Sequence, residues 1–267
     1  QNFDVEASFE DYTPQITAMP RVAFSFPITE TAMFTAHYDV LTQRPIGRNE
    51  ATPYDYYFLQ EIAIDGVIAN PDLRPERTIN YQLGFQQALS DDSRLSISAF
   101  YREMRDMMQV QRLNFAYPIE YTTFGNIDFG TVKGLTLSYD LIRRVKNILV
   151  NANYTLQFAD GTGSNTTSQV NLVGAGQPNL RTIVPLDQDV RHTFNVNVDY
   201  RFPAGKAYNG PVIGGVNIFE NAGINLAFRG RTGDPYTRQA NPTPTAQFGV
   251  AARSLMEGTI NGSRLPF

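Results

Sequence analysis

The sequence predicts an all-β protein whose strands belong to a transmembrane, antiparallel, up-and-down β-barrel. Apolar and polar residues alternate with a period of two in eight segments, and short connections alternate with long ones along the chain. The polar side of these segments is rich in Asn, Gln, Thr, Arg and Asp, while the apolar side carries Leu, Ile, Val, Phe and Tyr. Together these observations favour strands that face lipid on one side and a polar lumen on the other.

Four of the eight segments lie in the first half of the chain and form two predicted hairpins. Residues 22–26 and 32–40 alternate on either side of the tetrapeptide PITE. Residues 79–86 and 95–102 flank the tetrapeptide SDDS. Two alternating runs separated by turn residues are typical of an antiparallel hairpin.

The second half of the chain predicts two more hairpins. Residues 135–141 and 148–158 lie on either side of the sequence RRVKN, and residues 194–202 and 224–231 flank a Gly- and Pro-rich turn. No long segment with a helical period competes with these strands, although MRDMMQV also fits one helical turn.

The connections distinguish the two ends of the predicted strands. The short turns are residues 27–30, 90–93, 143–147 and 203–213, and the long irregular connections are residues 44–75, 109–130, 159–189 and 232–258. Membrane barrels have short periplasmic turns and longer extracellular loops. The alternative is a soluble β-sandwich that binds carbohydrate through loop tyrosines, in which the same apolar faces would form a dry core.

Composition excludes several classes of function. The 267 residues carry a net charge of -4 without a basic block, so the electrostatic footprint of a nucleic-acid-binding protein is absent. There is no cysteine, which excludes disulfides and thiolate sites. The sequence shows no catalytic triad and no phosphate-binding glycine motif. We therefore expect neither an enzyme nor a cofactor.

We expect the chain to be a segment of a larger barrel. If the short turns are periplasmic, a closed barrel of these eight strands would have both termini outside the cell, which is the wrong topology for a bacterial outer-membrane barrel. The ending NGSRLPF has a penultimate proline, which donates no ladder hydrogen bond. Residues 1–267 are thus predicted to form one partial barrel domain of about eight to ten strands.

A resemblance to a known family rests on four stretches of sequence. They are MPRVAFSFPITETAMFTAHYDVLTQRP (19–45), NPDLRPERTINYQLGFQQAL (70–89), VPLDQDVRHTFNVNVDYRF (184–202) and INLAFRGRTGDPYT (224–237). In them the chain resembles the TonB-dependent outer-membrane receptors, in the form common among Bacteroidetes-type bacteria. In such receptors NPxLxPE lies in an outer loop before a downward strand, DxRH opens another strand, and GxPYT follows an upward strand.

The resemblance implies a 22-stranded barrel with a plug domain inside it, in the outer membrane of a Gram-negative bacterium. Such a receptor imports a siderophore, cobalamin, a glycan or a peptide with energy delivered through TonB. The implied partners are outer-membrane lipid, the receptor's own plug domain, the TonB complex and a surface lipoprotein. The plug and the remaining strands are expected to lie outside this chain. A passive porin, or a scaffold barrel of an outer-membrane assembly, is the alternative with the same architecture.

Aromatic residues of the first long loop are predicted ligand contacts. Tyr54, Tyr56 and Tyr57 lie in ATPYDYYFLQ, and tyrosine offers a large amphipathic surface with little side-chain entropy to lose. Packing between neighbouring loops is the alternative role.

Three arginines, Arg102, Arg229 and Arg231, are predicted to point into the lumen. Arg102 and Arg105 are predicted to lie at a height similar to that of Arg229 and Arg231 if the register is kept through REMRD. Guanidinium groups suit carboxylate or phosphate ligands, and they equally suit ion pairs with carboxylates of a plug.

A dense charged cluster is predicted at the mouth of a strand, formed by Asp187, Asp189, Arg191 and His192. It suits either an anionic ligand or an internal ion-pair network that steadies the rim. His37 and Asp39 share a lumen face, but two histidines in the whole chain make a poor metal site, so no metal is expected.

The remaining predictions concern membrane position. Six tyrosines lie on apolar faces and fit an interfacial aromatic girdle; they are Tyr38, Tyr81, Tyr101, Tyr139, Tyr154 and Tyr200. In NPDLRPERTINYQLGF, residues 70–76 are predicted to descend from an outer loop, with Pro71 and Pro75 fixing an extended path, and residues 77–85 form the strand that follows.

Overall fold

A computed structural model describes residues 13–45, 52, 54, 57, 58, 66–114, 120–142, 147–238 and 259–266. The long strands are β1 (Arg21–Pro27), β2 (Ala32–Gln43), β3 (Glu76–Ser90), β4 (Ser93–Leu113), β5 (Tyr121–Leu141), β6 (Ile148–Gly161), β8 (His192–Arg201) and β11 (Gly223–Arg231). The short elements are helix α1 (Val170–Gly174), a 3-10 turn (Gly205–Ala207) and the two-residue strands β7 (Val184–Pro185), β9 (Val212–Ile213), β10 (Val216–Asn217), β12 (Pro235–Tyr236) and β13 (Ser263–Arg264). No helix in these ranges is long and apolar enough to cross a membrane.

The eight long strands form one sheet in which each strand pairs with the strand before it and the strand after it. The order is β1-β2-β3-β4-β5-β6-β8-β11, every pair is antiparallel, and β7 adds a short pairing to β6. This is an up-and-down arrangement, and all eight predicted strands are present in it. The prediction of an all-β barrel segment is confirmed.

One face of this sheet is apolar and exposed, and we call it the outward face. It carries large side chains that are more than a third exposed, among them Val22, Phe24, Phe26, Tyr81, Leu83, Phe85, Tyr101, Ile224, Leu226 and Phe228. The other two sheets in the described part of the chain have two strands each, so neither covers this face. A β-sandwich would bury these side chains between two sheets. The sandwich alternative is therefore wrong, and lipid is the solvent that an apolar face of this extent requires.

Aromatic side chains mark both ends of the apolar band. Tyr81 lies between Tyr38 and Tyr101 on the outward face, with ring centroids 5.3 and 6.2 Å apart. Just beyond this row, towards the long connections, Glu103 and Arg105 form a 2.7 Å ion pair. At the short-turn end, a second group of contacting rings consists of Tyr200, Phe202, Tyr208 and Phe219. Aromatic groups at both ends of an apolar band are typical of the two membrane–water interfaces.

The strands β4 and β5 are longer than the alternation predicts. Each has 21 residues, whereas a membrane-spanning strand needs about 9–11. The expected long loop at 109–130 is therefore wrong, because strand pairing continues to Leu113 and resumes at Tyr121. MRDMMQV lies within β4 and contains a β-bulge, where Asp106 has a φ of 56°. The bulge interrupts the period of two, which is why the sequence suggested a loop or a helical turn there.

Two other predicted connections also differ from the structure. The Gly- and Pro-rich turn expected at 203–213 extends over 202–222 and contains the 3-10 turn and the β9–β10 hairpin. The loop expected at 159–189 begins later, because β6 continues to Gly161, and it contains α1 and β7. Short ordered elements within a connection give too weak a periodic signal for a sequence to show them.

The outer halves of β4 and β5 have a small hydrophobic core of their own. It consists of the buried side chains of Leu73, Met108, Val110, Phe124 and Val173. Leu73 comes from NPDLRPE, and Val173 comes from α1, so two separate connections cover this part of the hairpin. Asn70 secures the first of them, because its Nδ2 donates to the carbonyl oxygen of Phe124 at 2.8 Å.

NPDLRPE also clamps the bulge in β4. A carboxylate oxygen of Glu76 accepts the backbone N–H of Met108 at 2.8 Å, and Arg74 forms a 2.8 Å ion pair with Asp106. The Asn126 side chain binds the backbone N–H and C=O of Arg74 and the carbonyl of Asp106. Strand β3 then begins at Glu76, one residue before its predicted start at residue 77.

The two faces of β5 give a direct test of this arrangement. Leu137 lies on the outward face near the middle of the membrane-spanning part, and Ser138 lies on the opposite face. In the full-length protein folded into lipid, we expect Leu137→Arg to lower the free energy of unfolding by about 2–4 kcal/mol, because a cation is placed in the bilayer core. Ser138→Arg should change it by less than about 1 kcal/mol. Denaturant titration in vesicles measures both values, and equal values for the two variants would contradict the lipid-facing assignment.

Candidate functional site

The face opposite the lipid, which we call the inward face, carries a grid of amide side chains on β6, β8 and β11. Register pairs Asn153 with Asn195 and Asn195 with Arg229, which puts the three residues in one row across the sheet. Asn197 lies two residues from Asn195 towards the short turns, and Asn225, the register partner of Asp199, lies two residues further in the same direction. Neighbouring strands are about 4.8 Å apart, so these side chains form a continuous polar surface.

The amide grid has unused hydrogen-bonding capacity. No hydrogen bond or ion pair joins the side chains of Asn153, Asn195, Asn197, Asn225 or Arg229 to any residue in the described ranges. By contrast, Asn151 on the same face donates to Asp140 at 2.9 Å. Each free amide offers two donors and an acceptor, and Arg229 adds five donors and a positive charge. This surface can therefore bind a polar partner without first breaking internal contacts.

Arg102 lies on the inward face of β4, at a distance from the grid. Its Nε donates to Oδ1 of Asn80 at 2.7 Å, and Asn80 is the register partner of Asp39. Three strands separate β4 from β11, which corresponds to about 19 Å across the sheet. Arg102 and Arg229 consequently lie too far apart to hold the same small anion.

The other two arginines are engaged elsewhere. Arg231 forms a 2.9 Å ion pair with Asp234 just beyond the end of β11. Arg105 does not share the inward face with Arg102, because it lies on the same face as Tyr101 and Glu103 and pairs with Glu103. The expected group of inward cations around Arg102 and Arg105 is therefore wrong. Arg105 is an odd-numbered residue before the bulge, so the same alternation that turns Arg102 inward turns Arg105 outward.

The rim cluster is organised around Asp189, whose side chain is fully buried. One carboxylate oxygen accepts the backbone N–H of Ala159 at 2.9 Å, and the other accepts Nε of Arg191 at 3.0 Å. Arg264 donates to the same carboxylate and to the backbone carbonyl of Asp189. The Arg191 guanidinium also lies 4.3 Å from the ring centroid of Phe158. Each charge at the centre of the rim thus has a protein partner.

The other two rim residues point to different neighbours. Asp187 accepts Nδ2 of Asn261 at 2.8 Å and belongs to the polar surroundings of the long β6–β8 connection. His192 lies with the outward aromatic residues, where its Nδ1 and the Tyr154 hydroxyl form a 2.8 Å hydrogen bond and the two rings stack. The four residues predicted as one cluster therefore separate into three sets of contacts.

The β6–β8 connection folds back onto the inward face through Leu186. This side chain is fully buried against Val132 and Ala159, with Phe100 and Met104 beside it. A Cβ atom at Gly130 would lie 2.7 Å from Cε of Met104, and one at Gly134 would lie 2.5 Å from Cζ of Phe100. The glycines provide space for an apolar cluster on a face that the alternation predicts to be polar throughout.

A buried polar network holds the same connection at its outer end. Gln109 is fully buried, and its Nε2 donates to Asp128, to Ser168 and to the carbonyl of Asn165. Asp128 also accepts the Thr162 hydroxyl at 2.9 Å. These contacts join the outer ends of β4 and β5 to residues 162–169. The β6–β8 connection is thus supported by packed and hydrogen-bonded structure at its base.

Comparison with known proteins identifies the family. Residues 3–254 match the family model described as TonB dependent receptor-like, beta-barrel. The chain belongs to this family. The family consists of receptors and transporters rather than enzymes, and its members lie in the outer membrane of Gram-negative bacteria. The predicted resemblance to TonB-dependent receptors is confirmed, and the protein is an outer-membrane protein.

One solved structure shows the same fold at low sequence identity, and two others are reported with it. The outer membrane transporter YddB from Escherichia coli superposes with a TM-score of 0.53 at 13% identity, over 88% of this chain and 32% of that one. The ferric-catecholate import receptor Fiu from E. coli K12 gives 0.46 at 14% identity, over 68% and 22%. The iron transporter FrpB from Neisseria meningitidis gives 0.44 at 17% identity, over 79% and 27%. This chain thus spans about a third of the length of YddB, and no curated protein sequence matches it.

The loop residues of this receptor barrel are described only in part. Tyr54 and Tyr57 are exposed, and the ring of Tyr57 packs edge-on against Phe58 with centroids 4.9 Å apart. Tyr56 lies outside the described residues. In the described ranges, no group of three or more His, Cys, Asp or Glu side chains is arranged to hold a metal ion.

Leu186 and Gln109 are structural residues of the receptor barrel that the sequence interpretation missed. Phe100, Met104 and Val132 break the alternation on the inward face, and Gly130 and Gly134 lie opposite them. That combination was the available signal for an inward apolar cluster. No local signal exists for Gln109, because the acceptors of its Nε2 are 19 to 59 residues away in the chain.

Leu186 offers a test of how the long β6–β8 connection is held. In the full-length receptor, Leu186→Ala should cost about 2–5 kcal/mol of local stability, because it leaves a cavity between Val132 and Ala159. Limited proteolysis within residues 162–191 should then accelerate by at least about tenfold. Leu180→Ala is the matched control in the same connection, because Leu180 is 37% exposed. Equal acceleration in the two variants would contradict the anchoring role.

Proposed function

We propose that this chain forms part of the barrel of a TonB-dependent receptor that takes up a scarce ligand across the outer membrane. The ligand is a siderophore, cobalamin, a glycan or a peptide. Uptake uses energy from an inner-membrane complex delivered through TonB, and the mechanism is binding followed by gated passage, without bond-making chemistry. The working partners are a plug domain in the lumen, the TonB complex and a surface lipoprotein over the loops.

The observation that carries this proposal is the amide grid with Arg229. Polar side chains that lack an internal partner are costly to leave unpaired once water is excluded, and they therefore suit a surface that is completed by another molecule. A plug domain and a passing ligand both present hydrogen-bonding groups to the lumen. The neutral amides suit either of them, while Arg229 selects for a carboxylate, a phosphate or another anionic group.

In this proposal, some of the remaining candidate residues contact the ligand and others only support the structure around it. Arg102 retains donors beyond the one that binds Asn80, so it offers a second contact point on the far side of the described sheet. Tyr54 and Tyr57 provide the first contacts for a ligand arriving from outside, together with Tyr56 in the same loop. Arg231, Asp187, Asp189, Arg191 and His192 serve the ligand only indirectly, by holding the rim on which the loops rest.

Energy dependence tests the proposal. A strain that lacks the gene is complemented with the full-length receptor, and uptake of labelled ferric siderophores, cobalamin, oligosaccharides and peptides is measured. One of these probes should enter at a rate that depends on the receptor and that falls to background when TonB is deleted. A probe that enters through the receptor at the same rate without TonB would instead show a passive porin.

Arg229 tests the ligand-facing role of the amide grid. For a probe that carries an anionic group, Arg229→Gln should weaken binding about tenfold or more, because a charge-assisted hydrogen bond is lost. Arg201→Gln is the control, since Arg201 lies on the same face but pairs with Asp199 near the short turns. Unchanged binding in Arg229→Gln, or an equal loss in the control, would show that Arg229 does not contact the ligand.

A further inference from the structure

Three cations lie on the outward face, at the end of the strands that leads to the long connections. Arg77 is on β3, Arg105 is on β4 and Lys133 is on β5, and each has the same orientation as the tyrosines of its neighbourhood. Arg77 and Arg105 lie four residues beyond Tyr81 and Tyr101 along their strands, while Lys133 is the register partner of Tyr101. We call these three residues the outward basic cluster.

The two arginines are placed directly opposite each other. Arg77 and Arg105 are register partners on one face of an antiparallel pair, so their Cβ atoms lie about 4.5–5.5 Å apart. Like charges in this position destabilise a sheet. Glu103 pairs with Arg105 at 2.7 Å, which offsets one of the two charges. The Arg77 side chain has no hydrogen-bond or ion-pair partner among residues 13–45, 66–114 and the other described ranges.

Lys133 is the second cation without a partner. It is exposed, and no described residue forms an ion pair or hydrogen bond with its side chain. Its register partners on either side are Tyr101 and Phe158, both aromatic. A lysine between aromatic rings at a membrane interface extends its ammonium group towards the headgroups and keeps its alkyl stem in the apolar layer. The ammonium group therefore reaches towards the level of the two arginines.

The position of the cluster determines what can neutralise it. The tyrosine row marks the outer interface, so Arg77 and Arg105 lie at the level of the lipid headgroups of the outer leaflet. The lumen is on the other side of the sheet, which excludes the plug and the imported ligand as partners. The anions that occur at this level are phosphate groups of lipids, and guanidinium groups bind phosphate through paired hydrogen bonds.

We propose that the outward basic cluster is a binding site for the phosphate groups of an outer-leaflet glycolipid. Arg77 and Arg105 hold one phosphate between them, and its charge removes the repulsion between the two guanidinium groups. Lys133 lies four residues nearer the apolar band than the two arginines do, which is about 13 Å along the strand direction. Its ammonium group contacts a second phosphate of the same headgroup from the side of the apolar band. Bound lipid of this kind joins β3, β4 and β5 on their outer surface, below the clamp that NPDLRPE forms on β4.

The test measures lipid binding by the full-length receptor in a non-ionic detergent. The probe is diphosphoryl lipid A, compared with the same lipid after removal of its phosphates and with inorganic phosphate. Arg105→Gln/Lys133→Gln should weaken binding of the diphosphoryl lipid about 25-fold, since each cation near a lipid surface contributes about a fivefold factor. Adding Arg77→Gln should weaken it about fivefold further. The dephosphorylated lipid should bind the wild type as weakly as the diphosphoryl lipid binds the triple variant.

The control is a double variant with the same loss of charge. Arg94→Gln/Lys206→Gln also removes one arginine and one lysine; Arg94 is 52% exposed in its side chain and pairs with Asp140, just as Arg105 is 55% exposed and pairs with Glu103. Both control residues lie at the short-turn end. The control should bind diphosphoryl lipid A as the wild type does. The charge-conserving variant Lys133→Arg should do the same, which separates loss of charge from a fault in folding.

Four results would overturn the proposal. They are wild-type affinity in Arg105→Gln/Lys133→Gln, an equal loss in the control, equal binding of the dephosphorylated lipid, and displacement of the lipid by inorganic phosphate at a similar concentration. The last result would show a site for free phosphate instead of a lipid headgroup.

Discussion

The structure depends on the absence of a second protein layer over the outward face of its sheet. In a soluble fold, the apolar side of a strand is buried against other elements, and the pattern of alternation only needs to match that core. Here lipid takes the place of the core, so every strand from β1 to β11 must present apolar side chains to the same side for the length of the membrane. The opposite side is free to carry the amides and arginines of the inward face. Register between strands is therefore fixed by both faces at once, because a slip of one residue would exchange lipid-facing and lumen-facing side chains along a whole strand.

Beyond the membrane, that constraint ends and the chain needs protein cores again. The outer halves of β4 and β5 have one in the cluster of Leu73, Met108, Val110, Phe124 and Val173. The inward side has another around Leu186. Both cores are completed by connections rather than by strands, and this ties the loops to the barrel wall. The rim carboxylate Asp189 strengthens the same attachment, since two arginines and a backbone N–H converge on it.

The membrane-spanning part of this fold could be predicted from the sequence because its signal is local and repeated. Leu135 to Leu141 and the alternating run from Ile148 show the period of two without interruption, and the structure pairs them as expected. The prediction failed where a β-bulge interrupts the period of two, as at Asp106 in β4. It also failed where the inward face carries apolar residues opposite glycines, as at Phe100 and Gly134. It also grouped Arg105 with the inward arginines by height, although the period of two puts Arg105 on the face opposite to that of Arg102. Contacts such as those of Gln109 and Asp189 join distant parts of the chain, so no short stretch of sequence contains them.

Among the candidate site residues, the sequence identified the inward orientation of Arg102 and Arg229 but not their environments. Register alone shows that Arg229 lies in a row with Asn153 and Asn195, while Arg102 is separated from Arg229 by three strands and is bound to Asn80. The segment NPDLRPE was interpreted from sequence as a marker of the outer side. In the structure it is also a clamp, because Glu76 accepts the backbone N–H of Met108 next to the bulge in β4 and Arg74 forms an ion pair with Asp106 in the bulge.

The most direct measurement is the accessibility of single side chains along β3 in the full-length receptor in lipid vesicles. The chain has no cysteine of its own, so single cysteines can be introduced at positions 80–86 and labelled with a fluorophore. Position 84 is omitted, because a side chain there would meet Thr35. A receptor barrel predicts that labels at the exposed positions 81, 83 and 85 are quenched by lipid-attached quenchers and labels at 80, 82 and 86 by water-soluble ones. Quenching by the water-soluble reagent at every position, or at none of the positions 80, 82 and 86, would contradict the assignment of one face to lipid and the other to the lumen.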